Sequence, residues 1–200
     1  SNLEVVPFYK NLLSLHKRTI ASLERRFEPS CSGLVMHLGL NRKYPQLAHH
    51  NFFFSRNSPR QYRSVFRYKQ MPPDPTLYVV APTRTDPSLA PRGHDLLKIL
   101  PQIPYLNFRA AMDLSALRQR ILDKLEAMGL TDLRHHIIDE VTLTPWDIER
   151  RYASNRGSIY GVTSTRFGNL GLKAPQKSPY VRGLYFVGGS VNPGCGIPMG

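Results

Sequence analysis

Apolar positions recur at helical spacing through Val5, Val6, Tyr9, Leu12 and Leu13, predicting a first helix that Asn2 can cap. A second helical stretch is expected over about Leu15–Phe27, closed by Glu28-Pro29. The pattern then changes to short apolar runs bounded by turn residues. Gly33–Leu40, His50–Phe54, Leu77–Ala81 and Asp95–Pro101 read as strands, separated by Asn41-Arg-Lys-Tyr-Pro45, Asp74-Pro75 and Thr85-Asp86-Pro87. The clearest helix is 113–128. Leu114, Leu117, Ile121, Leu122, Leu125 and Met128 share one face, Asp113 can cap the start, and Gly129 suits the end. That stripe is core rather than a ligand groove. A short segment reaches Val141, and Thr144-Pro145-Trp146-Asp147 opens another helix in capping-box form. Leu184–Val187 closes the pattern as a terminal strand. The class is α+β, and the last strand is expected to belong to a different sheet.

Composition narrows this picture. An apolar content of 41% over 200 residues is enough for a core. No apolar run is long enough to span a bilayer. Cys31 and Cys195 lie far apart in no metal or redox spacing, so both are expected as free thiols of a reducing compartment. Net charge is +13. Residues 29–73 and 150–200 each hold seven Lys/Arg and no acid, whereas 74–149 carry eight bases and eleven acids. Two basic zones call for anionic partners: phospholipid surface, cofactor phosphate or nucleic acid.

The last seventeen residues carry the sharpest chemistry. Leu184–Val187 runs into Gly188, Gly189, Ser190, Gly194, Cys195 and Gly196, and then Ile197-Pro198-Met199 reads as a helix start. Glycines let a backbone approach a pyrophosphate, and free amides at a helix start face an anion. The chain stops where that helix begins, so a fragment of a larger enzyme is expected. Cys195 reads as a small apolar filler, since no base or histidine beside it lowers its pKa. A second signal is Arg60-Gln-Tyr62-Arg63-Ser-Val-Phe66-Arg67-Tyr68-Lys69, where bases and aromatics interleave. The pattern suits an anionic lipid surface, single-stranded nucleic acid, or a plain solvated face. His49-His50 and His135-His136 are adjacent pairs whose rings diverge on a strand or helix, so no metal site is expected there. Arg150, Arg151 and Arg156 read as helix-end charges as readily as cofactor-phosphate partners.

Several motifs keep one order along the chain: Ser30-Cys31-Ser32, Tyr44-Pro-Gln-Leu47, Thr83-Arg-Thr-Asp-Pro-Ser-Leu-Ala-Pro91, Thr144-Pro-Trp-Asp147, Arg156-Gly-Ser-Ile-Tyr-Gly161 and the 183–198 block. In these the chain resembles the FAD-dependent carotenoid desaturases of bacterial phytoene desaturase type, including their diapophytoene and hydroxycarotenoid relatives. The resemblance implies part of an α/β, glutathione-reductase-like flavoprotein. In it a mixed-sheet substrate domain (1–155) carries flanking helices, and residues 156–200 add the last strand of an incomplete FAD domain. It implies FAD against Gly188–Ser190 and Gly194–Met199, and a lipophilic polyene such as phytoene near Ser158 and Tyr160, dehydrogenated with the flavin as acceptor. It supplies no trusted catalytic acid or base. The family's N-terminal dinucleotide fingerprint is absent, so a missing FAD domain of the same enzyme is an implied partner. A polyene substrate favours the lipid reading of Arg60–Tyr68 and a cytoplasmic, peripherally membrane-associated enzyme, with no nucleic acid expected. The other readings are a basic nucleic-acid-binding module using Tyr62, Phe66 and Tyr68, or a retinoid- or amine-directed flavoprotein.

Overall fold

A computed structural model describes residues 3–107, 111–164 and 170–194. It divides the chain into two compact units, Gly33–Thr144 and the pair Ser1–Ser32 with Pro145–Gly200. These boundaries differ from the 155/156 division by role expected from sequence.

The Gly33–Thr144 unit is an open sheet with one helix-covered face. The two-residue β1 (Ser32–Gly33) leads into β2 (Val35–Leu40), followed by β3 (His50–Phe53), β4 (Leu77–Val80), β5 (Asp95–Ile103) and β6 (Ile137–Leu143). Their spatial order is β3-β4-β5-β2-β6. Every neighbouring pair on this path is antiparallel, with Leu38 opposite Leu97 and Glu140, and Val79 opposite Asn51 and Ile99. The mixed sheet expected from sequence is thereby corrected. Antiparallel pairing needs no parallel crossover, and the helical segment Ser58–Tyr68 lies in the connection between the antiparallel neighbours β3 and β4.

β5 alternates buried and half-buried residues along all nine positions, the signature of a sheet with one face in the core. The core face carries Met36, Leu38, Leu77, Val79, Leu97 and Ile99. The long helix α4 (Leu114–Ala127) adds Leu117, Ile121, Leu122 and Leu125, all fully buried. Asp113 caps it, accepting from the Ala116 amide at 2.8 Å, as the sequence predicts. Met128 departs from the predicted stripe: it sits at the C-cap and is exposed, because the helix ends one residue short of it.

Ion pairs tie α4 to its surroundings. Arg118 grips Glu140 of β6 through Nε and Nη2, at 2.8 and 2.6 Å. Lys124 donates to Asp74 and to the carbonyls of Phe54 and Pro75. A further polar clamp lies under the Thr83–Pro91 motif. The fully buried Asp95 carboxylate accepts from Thr83, from the Leu96 amide and from Arg84 Nη2 at 2.7 Å, and Arg84 also donates to the Tyr44 and Leu47 carbonyls. The most distinctive short motif of this unit is therefore a structural staple.

The other unit packs α1 (Val5–Asn11) and α2 (Lys17–Arg26) with Phe27, Val162, Ala174, Phe186 and Val191. Tyr9 is its anchor. Its ring meets Phe186 and Tyr180 edge-on at 5.4 and 5.2 Å, and its hydroxyl donates to Ser178 at 2.6 Å. After α5 (Leu133–His136), a single turn ahead of β6, comes α6 (Pro145–Tyr152), which begins at the predicted proline. Asn2, expected to cap α1, lies outside the described residues; Glu4 occupies the N-cap position without a capping side-chain bond.

Leu184–Val187 is not a strand, which corrects the expected terminal strand. Only single bridges occur there, Lys177 opposite Tyr185 being one. Gly183 and Gly188, with φ of 79° and 106°, turn the chain at both ends and hold the segment to four residues. The side chains still alternate: Phe186 is buried, while Tyr185 and Val187 face solvent.

Candidate functional site

Residues 28–32 and 157–163 lie side by side in the unit formed by 1–32 and 145–200. The Ser30 amide donates to the Gly161 carbonyl at 2.7 Å, Ile159 to Cys31 at 3.0 Å, and Thr163 to Glu28 at 2.9 Å. Ser32 Oγ reaches the Gly157 carbonyl, and Ser30 Oγ accepts from the Tyr160 amide. The Ser-Cys-Ser and Gly-Ser-Ile-Tyr-Gly motifs are thus one paired structure. Cys31 is buried inside it, and burial pushes its thiol up to about 11, so it is inert at neutral pH.

This pairing supports the glycine turn. Gly161 lies directly beneath Gly189–Ser190: a Cβ there would stand 2.8 Å from Ser190 N. Lys173 Nζ draws the layers together, donating to the carbonyls of Val162 at 2.6 Å and Gly189 at 2.7 Å. Asn192 and Lys173 exchange side-chain and backbone hydrogen bonds, and Ala174 donates to Ser190. The turn is thereby held on three sides. The amides of Gly188, Gly189 and Ser190 meet no acceptor among the described residues. Adjacent unpaired amides on a fixed glycine turn suit an anionic or electron-rich group. The described half of the predicted cofactor segment fits FAD in that respect. Cys195, Gly196, Ile197, Pro198 and Met199 lie outside the described residues.

The two expected substrate residues part company. Ser158 is buried, and its hydroxyl donates to Glu4 at 2.7 Å, where the Asn155 amide also donates at 2.9 Å. Burial pushes the Glu4 carboxyl up, against these hydrogen bonds and the attraction of Lys173. Tyr160 is exposed. Arg150 pairs with Asp147 at 2.5 Å, a helix-surface ion pair rather than a phosphate clamp.

In the Gly33–Thr144 unit, the second face of the sheet is aromatic and half-open. Register places His50 and Phe52 of β3, Tyr78 of β4, Leu100 of β5, His37 of β2 and Val141 of β6 on it. Phe52 stacks on Tyr78 at 5.0 Å and on Phe54 at 6.0 Å, and the Tyr78 hydroxyl meets His50 Nδ1 at 2.8 Å. Phe52 and Phe54 are 57% and 64% exposed, an unusual state for two phenylalanines in contact. Burial, and then Lys98, holds His37 below its ordinary value, so this face carries a neutral imidazole at pH 7. Sequence reasoning missed this surface; the signal was Phe52-Phe53-Phe54, whose alternate members cannot all enter one core.

Arg60–Tyr68 forms a continuous helical segment, α3 (Ser58–Tyr62) running into a π-helical stretch over Arg63–Tyr68. It buries Gln61 and Val65 and exposes Arg60, Tyr62, Arg63, Phe66, Arg67 and Tyr68. Tyr62 and Phe66 stack at 5.7 Å, and Arg67 lies over the Tyr68 ring. All six residues of the predicted surface are exposed. His49 bonds to Thr85 and His136 to Asn41, and no cluster of three or more metal-ligating side chains occurs among the described residues.

Comparison with known proteins finds relatives named as carotenoid oxygenases. No family model matches the chain. It is 55% identical over its whole length to a 4,4'-diapolycopene oxygenase of Methylomonas sp. It is 54% identical, again throughout, to 4,4'-diaponeurosporene oxygenases of Staphylococcus haemolyticus and Staphylococcus aureus. The chain spans 40% of the length of these relatives.

Proposed function

We propose that this chain supplies the substrate-side sheet and a cofactor-contacting turn of an oxidoreductase that oxygenates an acyclic diapocarotenoid. One observation carries the reading: whole-length identity of 54–55% to proteins named as diapocarotenoid oxygenases. Phytoene desaturation, the closer expectation from sequence, is the second reading, since both chemistries oxidise a polyene. The relatives do not favour the nucleic-acid alternative.

The second face of the sheet supports a flat, apolar substrate. Phe52, Phe54 and Tyr78 stack in one line, and a conjugated chain lying along them gains dispersion and apolar burial without hydrogen bonds. FAD is the proposed cofactor, with the Gly188–Ser190 amides and the segment through Met199 holding it. When bound, it supplies the two-electron chemistry that no side chain can. The residues of this chain bind, orient and exclude water. The exposed Arg60–Tyr68 face is the proposed contact with an anionic membrane, from which such a substrate comes. Among the described residues no helix is long and apolar enough to cross one.

Chromatography of carotenoids from diapocarotenoid-producing cells making this chain together with the rest of the enzyme to which it is proposed to belong tests the proposal. An oxygenated derivative is expected; an unchanged carotenoid pool contradicts it.

A further inference from the structure

Two cavities of about 480 and 310 Å³ open along the chain following β3, the larger one against α4, and they share Arg56, Pro73 and Asp74 as walls. Arg120 and Lys124 enter from α4, and Arg60 from α3. Both acids of the lining are already engaged. Asp74 is held by Lys124 at 2.6 Å, and Asp123 by Arg134 at 2.5 Å. The guanidinium groups of Arg56, Arg60 and Arg120 have no carboxylate partner among the described residues. Arg120 Nε is shut off from solvent and meets no hydrogen-bond acceptor among the described residues. Arg56 lines both cavities, Arg120 the larger and Arg60 the smaller, and a guanidinium fork matches the geometry of phosphate oxygens.

The groove has an apolar side as well. Phe54 and Met128 line it and are 64% and 49% exposed. The helix that contributes Arg60 presents the stacked Tyr62–Phe66 pair one turn further on. A soluble phosphate has no use for these rings, whereas a lipid does, because its acyl chains start where its phosphate ends.

We infer that this groove binds the phosphate headgroup of an anionic phospholipid, with Arg56 and Arg120 as its principal ligands and Phe54, Tyr62, Phe66 and Met128 set against the acyl region. The inference rests on the membrane-surface reading of Arg60–Tyr68 and deepens it. It turns a diffuse basic face into a site for one chemical group.

The test is vesicle co-sedimentation of the purified protein with phosphatidylglycerol-containing liposomes. Each base close to an anionic surface contributes roughly a factor of five in affinity, so Arg56→Gln with Arg120→Gln predicts about a thirtyfold loss. A charge-matched control, Arg18→Gln with Arg25→Gln on α2, should leave affinity within about twofold. Vesicles brought to the same surface charge with oleate should bind less tightly than phosphatidylglycerol. All four arginine positions lie on partly or fully exposed surface, so circular dichroism should show unchanged folding. Equal losses in the two double variants, or equal binding to oleate vesicles, would overturn the headgroup site. So would full release from vesicles by low-millimolar glycerol 3-phosphate, which would assign the groove to a soluble phosphate. Binding that survives in the Arg56/Arg120 variant but is lost in Tyr62→Ser with Phe66→Ser defeats the groove and keeps the membrane surface. No binding of the unmodified protein to anionic vesicles defeats both.

Discussion

Alanine at position 161 tests whether the glycine turn is built on the paired motifs beneath it. Gly161 has φ of +69°, and a Cβ there would stand 2.8 Å from Ser190 N and 2.9 Å from Gly189 C and Ser190 Cα. All three are backbone atoms, so no side-chain rotation relieves the contact. A left-handed conformation costs an alanine ~1–2 kcal/mol. Forcing an extra carbon into a packed site costs about 1–3 kcal/mol more. Gly161→Ala is therefore expected to destabilise its unit by about 2–5 kcal/mol. Gly171→Ala is the control: its φ is +78°, but no atom of the described residues lies within 4 Å of the added carbon, so the conformational cost dominates. Urea unfolding followed by fluorescence suits both, because the single tryptophan, Trp146, lies in α6 of this unit. With FAD bound, Gly161→Ala should also lower flavin absorption per protein while Gly171→Ala leaves it unchanged. A Gly161→Ala midpoint within ~0.5 kcal/mol of the Gly171→Ala midpoint would refute the packing argument.

Three further outcomes follow from the same structure. Arg84→Leu strips the partner from the buried Asp95 carboxylate and should cost about 3–5 kcal/mol in denaturant titration; a cost below about 1 kcal/mol would show the clamp to be dispensable. Glu4 has a carboxyl raised above its ordinary 4.5 by burial. The folded protein therefore holds that proton longer than the unfolded chain, so stability is highest below 4.5 and falls as pH rises through the raised value. Subtracting the Glu4→Gln curve between about pH 4 and pH 7 should isolate this fall, and a rise with pH would contradict it. Phe52→Ala removes a ring already exposed in the free protein. Steady-state kinetics should show KM for the carotenoid raised about tenfold with kcat and thermal stability little changed, whereas an unaltered KM would remove the sheet face from the substrate path.

The chain announced its regular elements more clearly than its surfaces. The α4 stripe and the alternation of Asp95–Ile103 were legible because one face of each element is buried. β6 was not, since Asp139-Glu140 interrupts the apolar pattern of Ile137–Leu143. Its β-branched residues were the available signal, and pairing with β2 decides the state. The helix over Ser58–Tyr68 was masked by its charges, although Asn57 before Ser58-Pro59 is a start signal and does accept from the Arg60 amide. Leu184–Val187 has strand composition yet lacks a ladder, which no local pattern can supply. At the candidate sites, the basic-aromatic stretch Arg60–Lys69 stood out because bases and aromatics interleave along it. The Arg56–Arg120 groove was not readable, because 64 residues separate ligands that only the tertiary fold brings to one cavity.

The central claim is oxygenation of a diapocarotenoid, and labelled dioxygen tests it most directly. The enzyme to which this chain is proposed to belong, purified whole, would be incubated with FAD, a reductant and 4,4'-diaponeurosporene under 18O₂ and the carotenoid products weighed by mass spectrometry. The account predicts a product carrying the heavy oxygen label. A product that has only lost hydrogen would replace oxygenation by desaturation, and a carotenoid of unchanged mass would contradict the account.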